Sequence, residues 1–114
     1  MKTALSIALV CCAASGAAAQ AAPAETDYAL QCRGCHGAEG AGVPGHVPSL
    51  TGVAALLETP AGRARLLSVP GVRQSSLSDA RLAALLEWVA VRFAPPGARR
   101  AAPALTGAEV ARLR

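Results

Sequence analysis

The sequence predicts an all-α domain of short helices, and three observations predict it. Apolar residues recur at helical spacing, Gly and Pro punctuate the gaps between those runs, and no strand pattern stands out. A length of 114 residues adds that one domain is expected.

Taken in order, the chain opens like a secretory signal. Lys2 supplies a positive start, Ala4 to Ala14 is apolar, and Ala17-Ala18-Ala19 offers small residues for cleavage. The apolar run is too short and too alanine-rich for a membrane span, so no integral span is expected after cleavage. Val10 fits poorly before a lipid-anchored Cys11. Of the four cysteines, Cys11 and Cys12 therefore leave with the signal, and Cys32 and Cys35 remain.

Residues 20–24 read as an Ala/Pro linker. Glu25 to Arg33 then reads as a helix with acids in its first turn, where the helix dipole favours them. Gly37 to Gly52 holds five glycines and two prolines and reads as loop. Val53 to Leu57 has room for one helical turn. Thr59-Pro60 is a helix start, with Thr as N-cap and Pro in the first turn, and that helix ends near Ser68, before Pro70.

Gly71 to Ser76 is expected to be loop. Ser78-Asp79 opens the most strongly patterned helix, on which Leu82, Leu85, Leu86, Val89 and Phe93 form one apolar stripe. Pro95-Pro96-Gly97 ends it. Thr106 and Glu109 have the spacing of a capping box before a last helix over 107–113. No internal repeat is present.

The net charge of +4 is unevenly placed. Between residues 25 and 93, Arg33, Arg63, Arg65, Arg73, Arg81 and Arg92 balance Glu25, Asp27, Glu39, Glu58, Asp79 and Glu87. The excess lies in Lys2 and in Arg99, Arg100, Arg112 and Arg114. Without a basic patch backed by aromatic or motif support, nucleic acid is not an expected partner. The basic end is expected to be solvated, or to meet an acidic partner surface.

Cys32-Arg33-Gly34-Cys35-His36 is the C-x-x-C-H signal for covalent haem c attachment. Two thiols three positions apart on one helical turn can each bond a vinyl group of one haem, and the adjacent imidazole can reach the iron. A thioredoxin-like redox pair would follow a strand, and none is found. A zinc site needs four ligands, and Cys32, Cys35, His36 and His46 supply that number. Export together with C-x-x-C-H favours haem. A large apolar ring also suits a chain with one Tyr, one Trp and one Phe.

On these residues the chain resembles the class I c-type cytochromes, small monohaem proteins, over about residues 24–93. Tyr28 and Trp88 stand where that family places aromatics on its first and last helices. Pro48-Ser49-Leu50 follows His36 at the spacing of the family's Pro-x-Leu, and Leu77-Ser78-Asp79-Ala80 resembles the opening of its last helix. The resemblance implies a cytochrome c-like all-α fold, with three to five short helices wrapped around one covalently bound haem. The implied organisation is a signal peptide over 1–19, a linker over 20–24, a haem domain over 25–93, and a basic tail over 94–114 with a short helix.

It also implies haem-side roles for Pro48, whose carbonyl would accept the His36 N–H, and for Leu50, which would pack on the ring. Arg63, Arg65 and Arg73 are expected at the solvated surface, with a haem propionate as the other reading. One departure is plain. The family's second axial ligand is usually a methionine before the last helix, whereas the single methionine here is Met1 and Val69-Pro70 stands in the expected place. The sixth position is left to His46, to an open or water-bound site, or to a weak donor such as Tyr28 or a group from another chain.

The function expected from this reading is one-electron transfer in the periplasm between larger redox proteins, a dehydrogenase or an oxidase, by a monomer or a subunit of a complex. The alternatives are a haem protein binding a diatomic gas or peroxide, and a cytochrome subunit of a dehydrogenase. No set of catalytic side chains argues for an enzyme.

Overall fold

In a computed structural model of the chain, residues 23–114 are described; the signal peptide expected over 1–19, with Cys11 and Cys12, lies outside them. The first helix, α1 (Ala24–Gln31), starts within the expected linker. Pro23 is its N-cap, and the Pro23 carbonyl accepts the N–H groups of Thr26 and Asp27. Glu25 and Asp27 occupy its first turn.

The helical reading of the chain holds, and no strand longer than one isolated bridge, Val43 with Val47, occurs among the described residues. Seven α-helices appear there rather than three to five. The two that pattern did not resolve are single turns. One is α2 (Arg33–His36), separated from α1 by a backbone break at Cys32, whose φ and ψ are −123° and −38°. The other, α5 (Pro70–Arg73), lies in the expected 71–76 loop. Val69 is extended, as a residue before proline prefers, and Pro70 with its fixed φ then restarts a turn.

Between them, a 3-10 turn over Leu50–Gly52 leads into α3 (Val53–Leu56), and α4 (Pro60–Ser68) follows with Thr59 accepting from the Gly62 N–H at 3.0 Å. The long helix α6 (Asp79–Arg92) is capped by Ser78 and organises the core. Its stripe of Leu82, Leu85, Leu86 and Val89 is buried, as is Phe93 just beyond it. Each such leucine contributes on the order of 2 kcal/mol by leaving water.

Helix α6 packs against α1, α3 and the last helix, α7 (Gly107–Leu113). Where α1 crosses α6, Tyr28, Trp88 and Phe93 form one cluster, with ring centroids 5.1 to 5.9 Å apart. Beside it the buried Asp27 receives two hydrogen bonds from Arg81, one of them at 3.2 Å, tying α1 to the start of α6.

The segment after Phe93 is not the solvated end that its charge suggests. Leu105 and Val110 are buried in the same core. Arg100 pairs with both Glu58 and Glu87, and the Leu105 N–H donates to Glu87 at 2.6 Å. Glu58 also accepts the Ala101 and Ala102 amides. These amides, with Arg100, hold its carboxyl below the usual carboxylate range, so the contact is present at neutral pH and is lost only as pH falls through that lowered value.

Arg114 closes the chain on α6 and the loop before it, donating to the carbonyls of Ser75 and Leu77 and pairing with Asp79 at 2.6 Å. At α7 the capping box is half made. Thr106 accepts from the Glu109 N–H at 3.2 Å, while the Glu109 carboxylate pairs with Arg63 at 2.8 Å.

Candidate haem site

The break at Cys32 sets the site's local geometry. The Cys32 amide still closes α1 on the Tyr28 carbonyl, and the Cys32 carbonyl accepts from both Cys35 and His36. These bonds carry the chain through the turn, and Cys32, Cys35 and His36 all line one cavity. Both thiols are free, Cys32 half-buried and Cys35 exposed. Burial, with smaller contributions from Asp27 and Cys35, pushes the Cys32 thiol up. Cys32 is therefore kept as a thiol near neutral pH.

The loop after His36 folds back on the imidazole. Gly42 makes the close approach: its φ is +69°, its N–H donates to the His36 carbonyl at 2.9 Å, and a Cβ there would stand 2.2 Å from the Val47 carbonyl oxygen. Val43 and Val47 bridge across the tip, which delivers the Pro48 carbonyl to 3.0 Å from His36 Nδ1. Nδ1 then carries the proton and donates it to Pro48, leaving Nε2 as the nitrogen free to bind a metal.

The cavity has a volume of about 220 Å³. Beyond the motif its walls are chiefly apolar: Val69 and Val72 at the α4–α5 joint, and Leu82, Leu85 and Leu86 on α6. Two thiols and an imidazole at one end of an apolar slot suit a flat hydrophobic ring carrying a metal. They suit a zinc ion poorly, because no group of three or more His, Cys, Asp or Glu side chains poised for a metal occurs among the described residues. No described helix is long and apolar enough to cross a membrane.

A family model, Cytochrome c, matches residues 21–113. The chain belongs to the cytochrome c family. The family binds haem c covalently and generally carries electrons, so this cytochrome is a haem c electron-transfer protein with redox partners. The match runs through the C-terminal helix, in keeping with the buried contacts of that segment. No curated protein and no solved structure matches the chain significantly.

The other residues singled out from sequence divide clearly. Pro48 meets His36. Leu50 is half-buried against the core and is not part of the cavity wall. His46 is exposed and lines a different, larger and more open groove of about 530 Å³ with Pro44 and Val47. Tyr28 is unsuited to be even a weak ligand: its hydroxyl donates to the Gly37 carbonyl at 2.6 Å, and burial, with Cys32 next, holds it above the usual phenol range.

Arg63 is not placed to meet a propionate. It is buried and bonded to Leu57, Pro103 and Glu109. Arg65 and Arg73 are exposed and lack ion-pair partners among the described residues. Sequence reasoning missed Val72, Gln31 and Ser75 in the cavity wall. It read Leu82, Leu85 and Leu86 as core alone, since one stripe serves both surfaces.

Proposed function

We propose that this cytochrome is an exported, periplasmic one-electron carrier, with haem c held by Cys32 and Cys35 and its iron by His36. The observation that carries this reading is the His36 Nδ1 to Pro48 carbonyl contact at 3.0 Å beside two free thiols. Cys32 and Cys35 would each add a thiol across a vinyl group, the sulfur bonding one carbon and the proton going to the other. Haem supplies reversible one-electron chemistry when bound.

The protein's part is to orient and to exclude water. Pro48 fixes the His36 ring and raises its basicity, and Leu82, Leu85 and Leu86 shelter one end of the slot. The cavity lies below the range of about 300–1,000 Å³ typical of enclosed small-molecule sites. It is an open slot rather than an enclosed pocket, and the partners proposed for haem held there are other redox proteins such as a dehydrogenase or an oxidase.

Pro48 acts on the imidazole and Leu50 supports the loop behind it. The signal over 1–19 exports the chain, residues 20–24 lead into the haem domain over 25–93, and 94–114 form its basic, folded end. The cytochrome c family generally carries electrons, and that supports a carrier rather than an enzyme.

The test is a spectroelectrochemical titration of protein purified from the periplasmic fraction. A c-type spectrum that follows a single one-electron Nernst curve in both directions is expected. A cytoplasmic product, or haem that cannot be cycled reversibly, would overturn the reading.

A further inference from the structure

Resting on that haem assignment, we infer a second activity: this chain leaves the sixth iron position without a protein ligand and binds an uncharged π-acceptor diatomic gas there. The inference comes from the cavity wall. Apart from His36 and the two cysteines committed to the ring, the side chains with a lone pair in that wall are Gln31 and Ser75. A carboxamide and a hydroxyl are weak donors to haem iron beside imidazole, thioether or thiolate. Ser75 Oγ already accepts the Leu77 N–H at 3.3 Å.

The familiar donors among the described residues lie elsewhere. His46 faces the separate groove, the Tyr28 hydroxyl is bonded to Gly37, and no Met or Lys occurs among those residues; the chain's one Met and one Lys, Met1 and Lys2, fall in the expected signal. The α4–α5 joint is held in place from both ends. Val69 is fixed by Pro70 and its carbonyl accepts from Val72 and Arg73, while Arg114 grips the Ser75 and Leu77 carbonyls. A wall secured this way does not readily bring a distant donor to the iron.

The chemistry of the wall selects the ligand class. Val69, Val72, Leu82, Leu85 and Leu86 present apolar surface, and no Arg, Lys, Asp or Glu lines the cavity. An anion would be desolvated there without a counter-charge, whereas carbon monoxide or nitric oxide loses little on entry. The same wall has no base or cation to assist peroxide cleavage, so gas binding is favoured over peroxidase chemistry.

The probe is carbon monoxide added to the reduced, full-length mature protein, read by absorption and resonance Raman spectra. A high-spin ferrous haem that shifts on adding the gas is expected. His46→Ala should leave both spectra unchanged, and Val69→Met, which places a flexible thioether in the wall, should give a low-spin haem that no longer takes the gas.

A covalent haem that is low-spin and inert to carbon monoxide would overturn the inference while leaving the electron-transfer reading intact. So would a His46→Ala protein that gains gas binding the wild type lacks. A Val69→Met protein that binds the gas like the wild type would overturn the assignment of the open side to this wall. Absence of any covalent haem would instead defeat the parent reading.

Discussion

Replacing Arg63 with alanine should cost about 3–5 kcal/mol of unfolding free energy, the range seen when one partner of a buried ion pair is removed. Arg63 joins three segments through a single guanidinium. Its Nε donates to the Leu57 carbonyl at 2.8 Å, one terminal nitrogen pairs with Glu109 at 2.8 Å, and the other meets the Pro103 carbonyl. With its side chain 8 % exposed and that of Glu109 19 % exposed, neither solvent nor salt screens the pair strongly.

Alanine would leave the Leu57 and Pro103 carbonyls and the Glu109 carboxylate short of donors and would free the C-terminal segment from α4. For a domain of this size the melting temperature should fall by at least about 12 °C. Lysine, a single ammonium without the planar fork, should recover part of the loss. Urea unfolding of wild type, Arg63→Ala and Arg63→Lys measures this. A fall under about 1 kcal/mol for alanine would match an exposed pair instead.

Gly42→Ala should damage the site as well as the fold. A left-handed φ of +69° costs an alanine about 1–2 kcal/mol. The added methyl would also stand 2.2 Å from the Val47 carbonyl oxygen and 2.7 Å from that of Pro48, so the loop tip must move. Its movement draws the Pro48 carbonyl away from His36 Nδ1, makes the imidazole a poorer donor, and should raise the haem potential.

Gly45→Ala is the matched control. Gly45 also has a positive φ, +78°, but a Cβ there meets nothing within 4 Å. It should lose a similar backbone contribution with no change in potential. Equal potentials for the two variants would separate Pro48 from the tuning of His36.

Much of the fold was legible because the signals were local. Thr59, Ser78 and Thr106 each accept from the amide that their N-cap position implies. The Leu82 to Phe93 stripe is buried because a 3.6-residue period leaves it one face. The turns α2 and α5 were not legible. Each is four residues long, below the length at which periodicity speaks, and each depends on a backbone feature beside it, the break at Cys32 or the Val69-Pro70 step.

At the site, the C-x-x-C-H spacing and the Pro-x-Leu resemblance singled out Cys32, Cys35, His36 and Pro48, which the fold brings together. The reading of the basic end failed for a physical reason. Two of its arginines, Arg100 and Arg114, pair with Glu58, Glu87 and Asp79, acids distant in sequence, and a charge count along the chain carries no such long-range information. Arg63 was misread for the same reason, since its partners Pro103 and Glu109 lie on the far segment.

The most direct measurement is the intact mass of the exported protein under denaturing, reducing conditions, for wild type and for the Cys32→Ala, Cys35→Ala double variant. Covalent attachment predicts that the wild-type chain keeps the mass of one haem through denaturation and that the double variant does not. A wild-type mass equal to the bare chain, with Cys32 and Cys35 recovered as thiols, would contradict haem attachment at this site.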